Sequence, residues 1–162
     1  MYKAIDVAKY VINYMNEVGS PVSNLKLQKI LYYIQAAMLV EKSRKCFEDP
    51  IMAWEFGPVV VPVYQKYREY GRGNIPKQEV SKVFEFDATK MKITFKEPEE
   101  LDAMCKKVIN KVVDSYKGVD DPFVLVKKTH LEKPWSATPL NSEIKCEIIE
   151  EYYKNNIERL YS

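Results

Sequence analysis

Histidine occurs once in this chain of 162 residues, cysteine three times and glycine five times. Each scarcity excludes something. A single histidine, His130, with no C-x-x-C pair leaves no usual set of zinc ligands. The cysteines, Cys46, Cys105 and Cys146, are odd in number and far apart, which suits reduced thiols in a cytosol and not a disulfide scaffold. The one G-x-G, Gly71-Arg72-Gly73, follows a helical pattern and does not join a strand to a helix. It reads as a helix end and turn, not a dinucleotide site. No run approaches the ~20 apolar residues of a spanning helix, and Met1–Asp6 lacks the apolar core of a signal peptide. The expectation is a cytoplasmic protein without membrane insertion. The formal net charge is only +2, too little for the strongly basic face of a typical nucleic-acid binder. No metal, cofactor or catalytic residue is expected.

What the chain has is apolar bulk and tyrosine. Hydrophobic residues make up 46%, enough for a globular core, and the length suits one domain spanning residues 1–162. Twelve tyrosines can build either a core edge or a partly exposed contact surface.

Apolar spacing of three and four predicts a helix over 3–18, with Ile5, Ala8, Val11, Ile12, Met15 and Val18 on one stripe. Gly19-Ser20-Pro21 stops it. A second helix runs from an N-cap at Ser23 to about Ser43, with Leu27, Ile30, Leu31, Ile34 and Met38 on one face and Lys26, Lys29 and Glu41 elsewhere. The stretch from Ile51 to Tyr64 holds Trp54, Phe56, Gly57, Pro58 and three consecutive valines. Surface connections are polar, so an apolar one is expected to fold back into the core, with Trp54 and Trp135 as buried anchors. A third helix covers about Val59 to Tyr70. Alternation across Val83–Phe86 and Met91–Phe95 predicts a short β-hairpin. Glu97-Pro98-Glu99-Glu100 suits the first turn of a further helix. A shorter helix follows from Asp120 or Asp121, and a last one is expected from a cap at Asn141 or Ser142. The fold class predicted is mainly α: a compact domain of about six helices with one short β-hairpin.

Chemistry is sparse. His130 could serve as an acid or base, and a cysteine–histidine hydrolase is the enzymatic alternative, but no feature selects one cysteine. Lys66, Arg68, Arg72 and Lys77 surround two tyrosines, yet Glu69 and Glu79 interleave them. Tyr67, Arg68 and Tyr70 are the candidate partner-binding residues, since Tyr and Arg are favoured in interface cores.

Three blocks carry a family resemblance: Leu25-Lys26-Leu27-Gln28-Lys29-Ile30-Leu31-Tyr32-Tyr33-Ile34-Gln35; Ala53-Trp54-Glu55-Phe56-Gly57-Pro58-Val59-Val60 with Pro62-Val63-Tyr64 and Tyr67; and Thr129-His130-Leu131-Glu132-Lys133-Pro134-Trp135. In order and spacing they resemble the Panacea domain, found in SocA-like antitoxins and phage-associated GepA-like proteins. The matching positions are Gln28, Tyr32, Gln35, Trp54, Gly57, Pro58, Tyr64, His130, Pro134 and Trp135. Two features depart from the pattern: Ala36-Ala37-Met38 stands where a Gly-Trp-His-like run is common, and the Val83–Phe95 hairpin is extra. The resemblance implies a helical, non-catalytic antitoxin whose partner is a cognate protein toxin, bound directly or, in adaptor-like members, delivered to a host protease. A phage-encoded protein that binds a host factor is the remaining alternative.

Overall fold

The computed structural model describes residues 1–79, 83–96 and 99–162. Helix α1 (Ala4–Glu17) leads through Gly19, at φ +73°, into helix α2 (Asn24–Lys42). The Ser23 side chain accepts the Lys26 N–H at one end of α2, and Ser43 closes the other in the left-handed conformation. Both ends thus satisfy groups that the helix itself leaves unpaired.

Helix α2 is the mast of the molecule. Every residue from Asn24 to Leu39 is buried except the half-buried Leu25. Helices α1, α3 (Val61–Tyr67), α4 (Ala103–Tyr116), α5 (Pro122–His130) and α7 (Cys146–Lys154) all pack on it. The expected one-sided stripe is therefore corrected to burial all round. Lys26 and Lys29, expected outside the stripe, lie within, because each Nζ finds at least one backbone carbonyl. Lys26 Nζ donates to Val119 O at 2.6 Å and Lys117 O at 3.2 Å, and Lys29 Nζ to Pro58 O at 3.0 Å. A buried polar group is tolerable only with such partners.

The same logic binds the irregular links. Gln35 Oε1 accepts the N–H groups of Cys46 (2.7 Å) and Phe47 (3.3 Å), while its Nε2 donates to Phe47 O. Gln28 Oε1 accepts the Val60 N–H at 2.8 Å, at the entry to α3. The apolar stretch after Pro50 is more than a link. Strands β1 (Met52–Trp54) and β2 (Gly57–Val59) form a tight antiparallel hairpin, with Trp54 opposite Gly57 across the two-residue turn Glu55-Phe56. Residues 141–144 lie beside β1: Asn141 N–H donates to Ala53 O and Ile144 N–H to Ile51 O.

Several expected boundaries move. Helix α3 ends at Tyr67 and passes into a 3-10 turn, Arg68–Tyr70, closed by Gly71. The predicted hairpin forms as strands β3 (Val83–Asp87) and β4 (Lys92–Lys96). Helix α4 starts at Ala103 with Asp102 as its cap. Glu99 and Glu100 lie outside it, and Pro98 lies outside the described residues. A single turn, α6 (Lys133–Ser136), follows α5. Asn141 has φ +63° and caps nothing; α7 begins at Cys146, because the preceding backbone is already committed to β1. Among the described residues there are seven α-helices and two hairpins, so the chain is mainly α, with one helical turn and one hairpin more than expected.

Tyrosine serves the core. Tyr32, Tyr33, Tyr116 and Tyr153 interlock, and of all twelve tyrosines only Tyr64 is exposed. Their centre is charged. Glu132, fully buried, accepts the Tyr33 hydroxyl at 2.6 Å, the Tyr153 hydroxyl and the Lys128 ammonium at 3.0 Å. Lys128 Nζ also lies 4.2 Å from the Tyr33 ring centre. Burial beside Glu132 pushes the Tyr33 and Tyr153 phenols well up, so both remain donors.

Candidate functional site

The second block and α5 build a groove of about 760 Å³. Its aromatic walls are Trp54, Phe56, Tyr64 and Phe123. Trp54 meets Tyr64 edge-on at 5.1 Å, and Phe56 meets Phe123 edge-on at 5.9 Å. The β1–β2 turn lifts Phe56 out of the body, where it is half exposed. Pro122, just inside α5 after its Asp121 cap, sets Phe123 on the first turn facing it. Arg68 and Arg72 line the groove, and neither forms an ion pair among the described residues.

The floor is fixed from α2. Gln28 Nε2 donates to Asn24 Oδ1 and Asn24 Nδ2 to Tyr64 O, both at 3.0 Å. Lys29 sits behind the β1–β2 hairpin, and burial lowers its pKa to about 7. Gly57, at φ +101°, admits this packing: a Cβ there would fall 2.7 Å from Thr129 Oγ1 and 2.9 Å from Lys29 Cε. The third block braces the rear. Trp135 Nε1–H donates to Trp54 O at 2.9 Å, and His130 stacks on Trp135 with ring centres 3.9 Å apart.

The expected site residues separate. Arg68 lines the groove; Tyr70 is half-buried beside it; Tyr67 turns inward and is 1% exposed, so it cannot meet a partner. It lies on the face of α3 that packs on α1 and α2, as Val63 does one turn earlier. Trp54 and Trp135 are half-buried, not buried, because each is shared between core and groove. Of the positions matched by family pattern, Gln28, Trp54 and Tyr64 line the groove. Gly57, Pro134, Trp135 and His130 support it from behind. Tyr32 and Gln35 belong to the core and to the Cys46 link. Sequence reasoning missed Phe56 and Phe123 as lining, and placed Arg72 only within the basic run around Tyr67 and Tyr70. An aromatic next to a turn glycine and one after a helix-opening proline were the available signals.

His130 faces Trp135, while Cys46 and Cys105 face each other, with thiol sulfurs 3.4 Å apart. Among the described residues no three His, Cys, Asp or Glu side chains gather to hold a metal. None of the described helices is long and apolar enough to cross a membrane.

The groove, its floor and its brace fall within residues 27–136 apart from Ser23, Asn24, Leu25 and Asn141, and that is the span matched by a family model. The model is described as antitoxin SocA-like, Panacea domain.

The chain belongs to the Panacea family of SocA-like antitoxins.

A curated relative, antitoxin SocA of Caulobacter vibrioides (strain NA1000 / CB15N), is 37% identical over 65 residues. That match covers 40% of this chain and 35% of the relative, so the chain matches about a third of the relative's length. No solved structure matches. The family description and the relative's name both say antitoxin.

Proposed function

We propose that this Panacea protein is a cytoplasmic antitoxin that neutralises one cognate protein toxin by direct binding, and that the aromatic groove receives the toxin. The observation that carries this reading is the convergence of family-block residues on one groove: Gln28 from the first block, buried at its floor, and Trp54 and Tyr64 from the second, on its walls. Exposed aromatics beside arginine make the composition of an interface hot spot. Two guanidiniums with no ion pair among the described residues suit a partner segment with apolar anchors and a carboxylate, since arginine grips carboxylates in bidentate fashion. Phe56 at 51% and Phe123 at 43% exposure are a pair of large rings still facing water.

The trial is co-expression with the product of the adjacent gene. Growth arrest by that product alone, relief by this chain, and co-purification of the pair support the reading. Phe56→Ser with Arg68→Glu should abolish relief and co-purification while the circular dichroism stays that of wild type. Relief accompanied by loss of the toxin, without a stable pair, would refute direct neutralisation. Full relief by the folded double variant would remove the groove from the binding surface.

A further inference from the structure

The β3–β4 hairpin is divided sharply into two faces. Phe84 pairs with Phe95 and Phe86 with Ile93, and all four are on one side. The Phe84 and Phe95 ring centres are 4.8 Å apart. Glu85, Asp87, Lys92 and Thr94 are on the other side, by the two-residue alternation of a strand. The apolar side faces water: Phe84 is 67% exposed, Phe86 64%, Ile93 64% and Phe95 63%, with Met91 at 79% beside the turn. The turn itself is well made. Asp87 Oδ1 accepts the Thr89 N–H at 3.0 Å, the Thr89 hydroxyl at 2.5 Å and the Lys90 N–H at 3.3 Å.

A two-stranded hairpin alone is marginal in water and needs a cover on its apolar face. The cover must be present whenever the chain is folded, including before any toxin is bound. A second copy of the chain is the one surface always at hand. The face also fits a second copy. It contains no charge or hydrogen-bonding group to select a chemically distinct partner, and a net charge of +2 sets little barrier to self-association. With each of its large side chains about two-thirds exposed, the face offers roughly 500 Å² per copy. Two copies would bury about 1,000 Å², the lower bound for a specific association. We propose that two copies of this chain pack through the apolar faces of their β3–β4 hairpins, sheet on sheet at the usual ~10 Å spacing, with the charged faces outward. This dimer surface shares no residue with the lining of the aromatic groove.

Sedimentation velocity of the full chain from ~1 to ~200 µM tests it, a range chosen for a weak contact of this size. The expected result is a concentration-dependent rise from 19.0 kDa towards twice that mass. Phe86→Thr with Ile93→Thr keeps strand propensity while removing half of the apolar face, and should weaken the dimer by at least about 100-fold. Thr94→Lys, on the opposite face, should leave the dimer intact. Hairpin amides of the wild type should exchange more slowly at high concentration than at low, a readout that stands even if the double variant misfolds. A wild type that stays at 19.0 kDa throughout overturns the proposal, as does a folded double variant that dimerises as wild type does. If the wild type is monomeric and the double variant loses the toxin, the face belongs to the toxin and the proposal also fails. Groove variants probe toxin binding independently.

Discussion

Gly57→Ala should damage this protein more than its single methyl group suggests. Two costs coincide. The backbone at φ +101° is one that residues with a Cβ rarely adopt, worth ~1–3 kcal/mol. The new methyl would also sit 2.7 Å from Thr129 Oγ1 and 2.9 Å from Lys29 Cε. Neither neighbour is free to give way: Thr129 Oγ1–H donates to Val126 O at 2.8 Å, and Lys29 Nζ to Pro58 O at 3.0 Å. Overpacking of that kind costs ~1–3 kcal/mol. The sum is about 2–6 kcal/mol, a large fraction of the ~5–15 kcal/mol that holds a domain together. For a chain of this length each kcal/mol is worth ~2–4 °C, so the thermal midpoint should fall by about 4–24 °C. Gly19→Ala is the matched control. Its φ is +73°, but nothing lies within 4 Å of the added Cβ, so only the backbone cost applies. Thermal unfolding followed by far-UV circular dichroism compares the two. A Gly57→Ala midpoint no lower than that of Gly19→Ala would refute the close-packing account of the Gly-Pro turn.

Glu132→Ala leaves Tyr33, Tyr153 and Lys128 facing a void and should cost ~3–5 kcal/mol in urea unfolding, while Glu132→Gln, which keeps an acceptor, should cost less. Lys29 has a pKa of about 7 when folded and 10.5 as its ordinary value, so between those limits the unfolded chain binds the extra proton and stability rises with pH. From pH 7 to 9 this contributes about 2 kcal/mol, which Lys29→Met should remove; the wild-type-minus-variant difference in urea midpoint at the two pH values isolates it. Trp135→Phe keeps the stack on His130 but removes the donor to Trp54 O, and should lower stability by ~1 kcal/mol, with Trp54 fluorescence shifting as its strand loosens. His130→Gln should fold, losing ~0.5–1.5 kcal/mol with the ring stack, and should still suppress the toxin in co-expression.

The helices with a clean apolar stripe were legible in the sequence: α1, the body of α4 and the extent of α2 follow from spacing, although α4 opens at Ala103 and not at the Glu97–Glu100 turn. The burial of α2 all round was not. Periodicity treats a lysine or glutamine as a solvent marker, whereas Gln28, Lys29 and Gln35 are here the hydrogen-bond donors and acceptors of neighbouring links. The β1–β2 hairpin hid for a related reason. Pro58 in a short apolar run argues against a strand, yet a two-stranded hairpin has an outer edge where the missing N–H costs nothing. At the groove, Trp54, Tyr64 and Arg68 were visible as motif or interface residues. Phe56 and Phe123 meet only through the fold, 67 positions apart, and no local pattern reports such a meeting. Tyr67 was misplaced because three tyrosines and an arginine on a short helix do not reveal which side faces α1.

A helix with no free side has a consequence for the life of the protein in a cell. Tyr32 and Tyr33 on α2 are sealed by Tyr153 from α7, and Tyr116 on α4 is tied to Leu160 O at 2.8 Å. Synthesis therefore delivers the mast long before its last stave, and the barrel closes only when residues 146–160 have left the ribosome. The reverse also holds: a single cut before Cys146 would strip that stave and wet the tyrosine cluster. Loss of this one segment would undo the packing of α2 as surely as destruction of the whole chain.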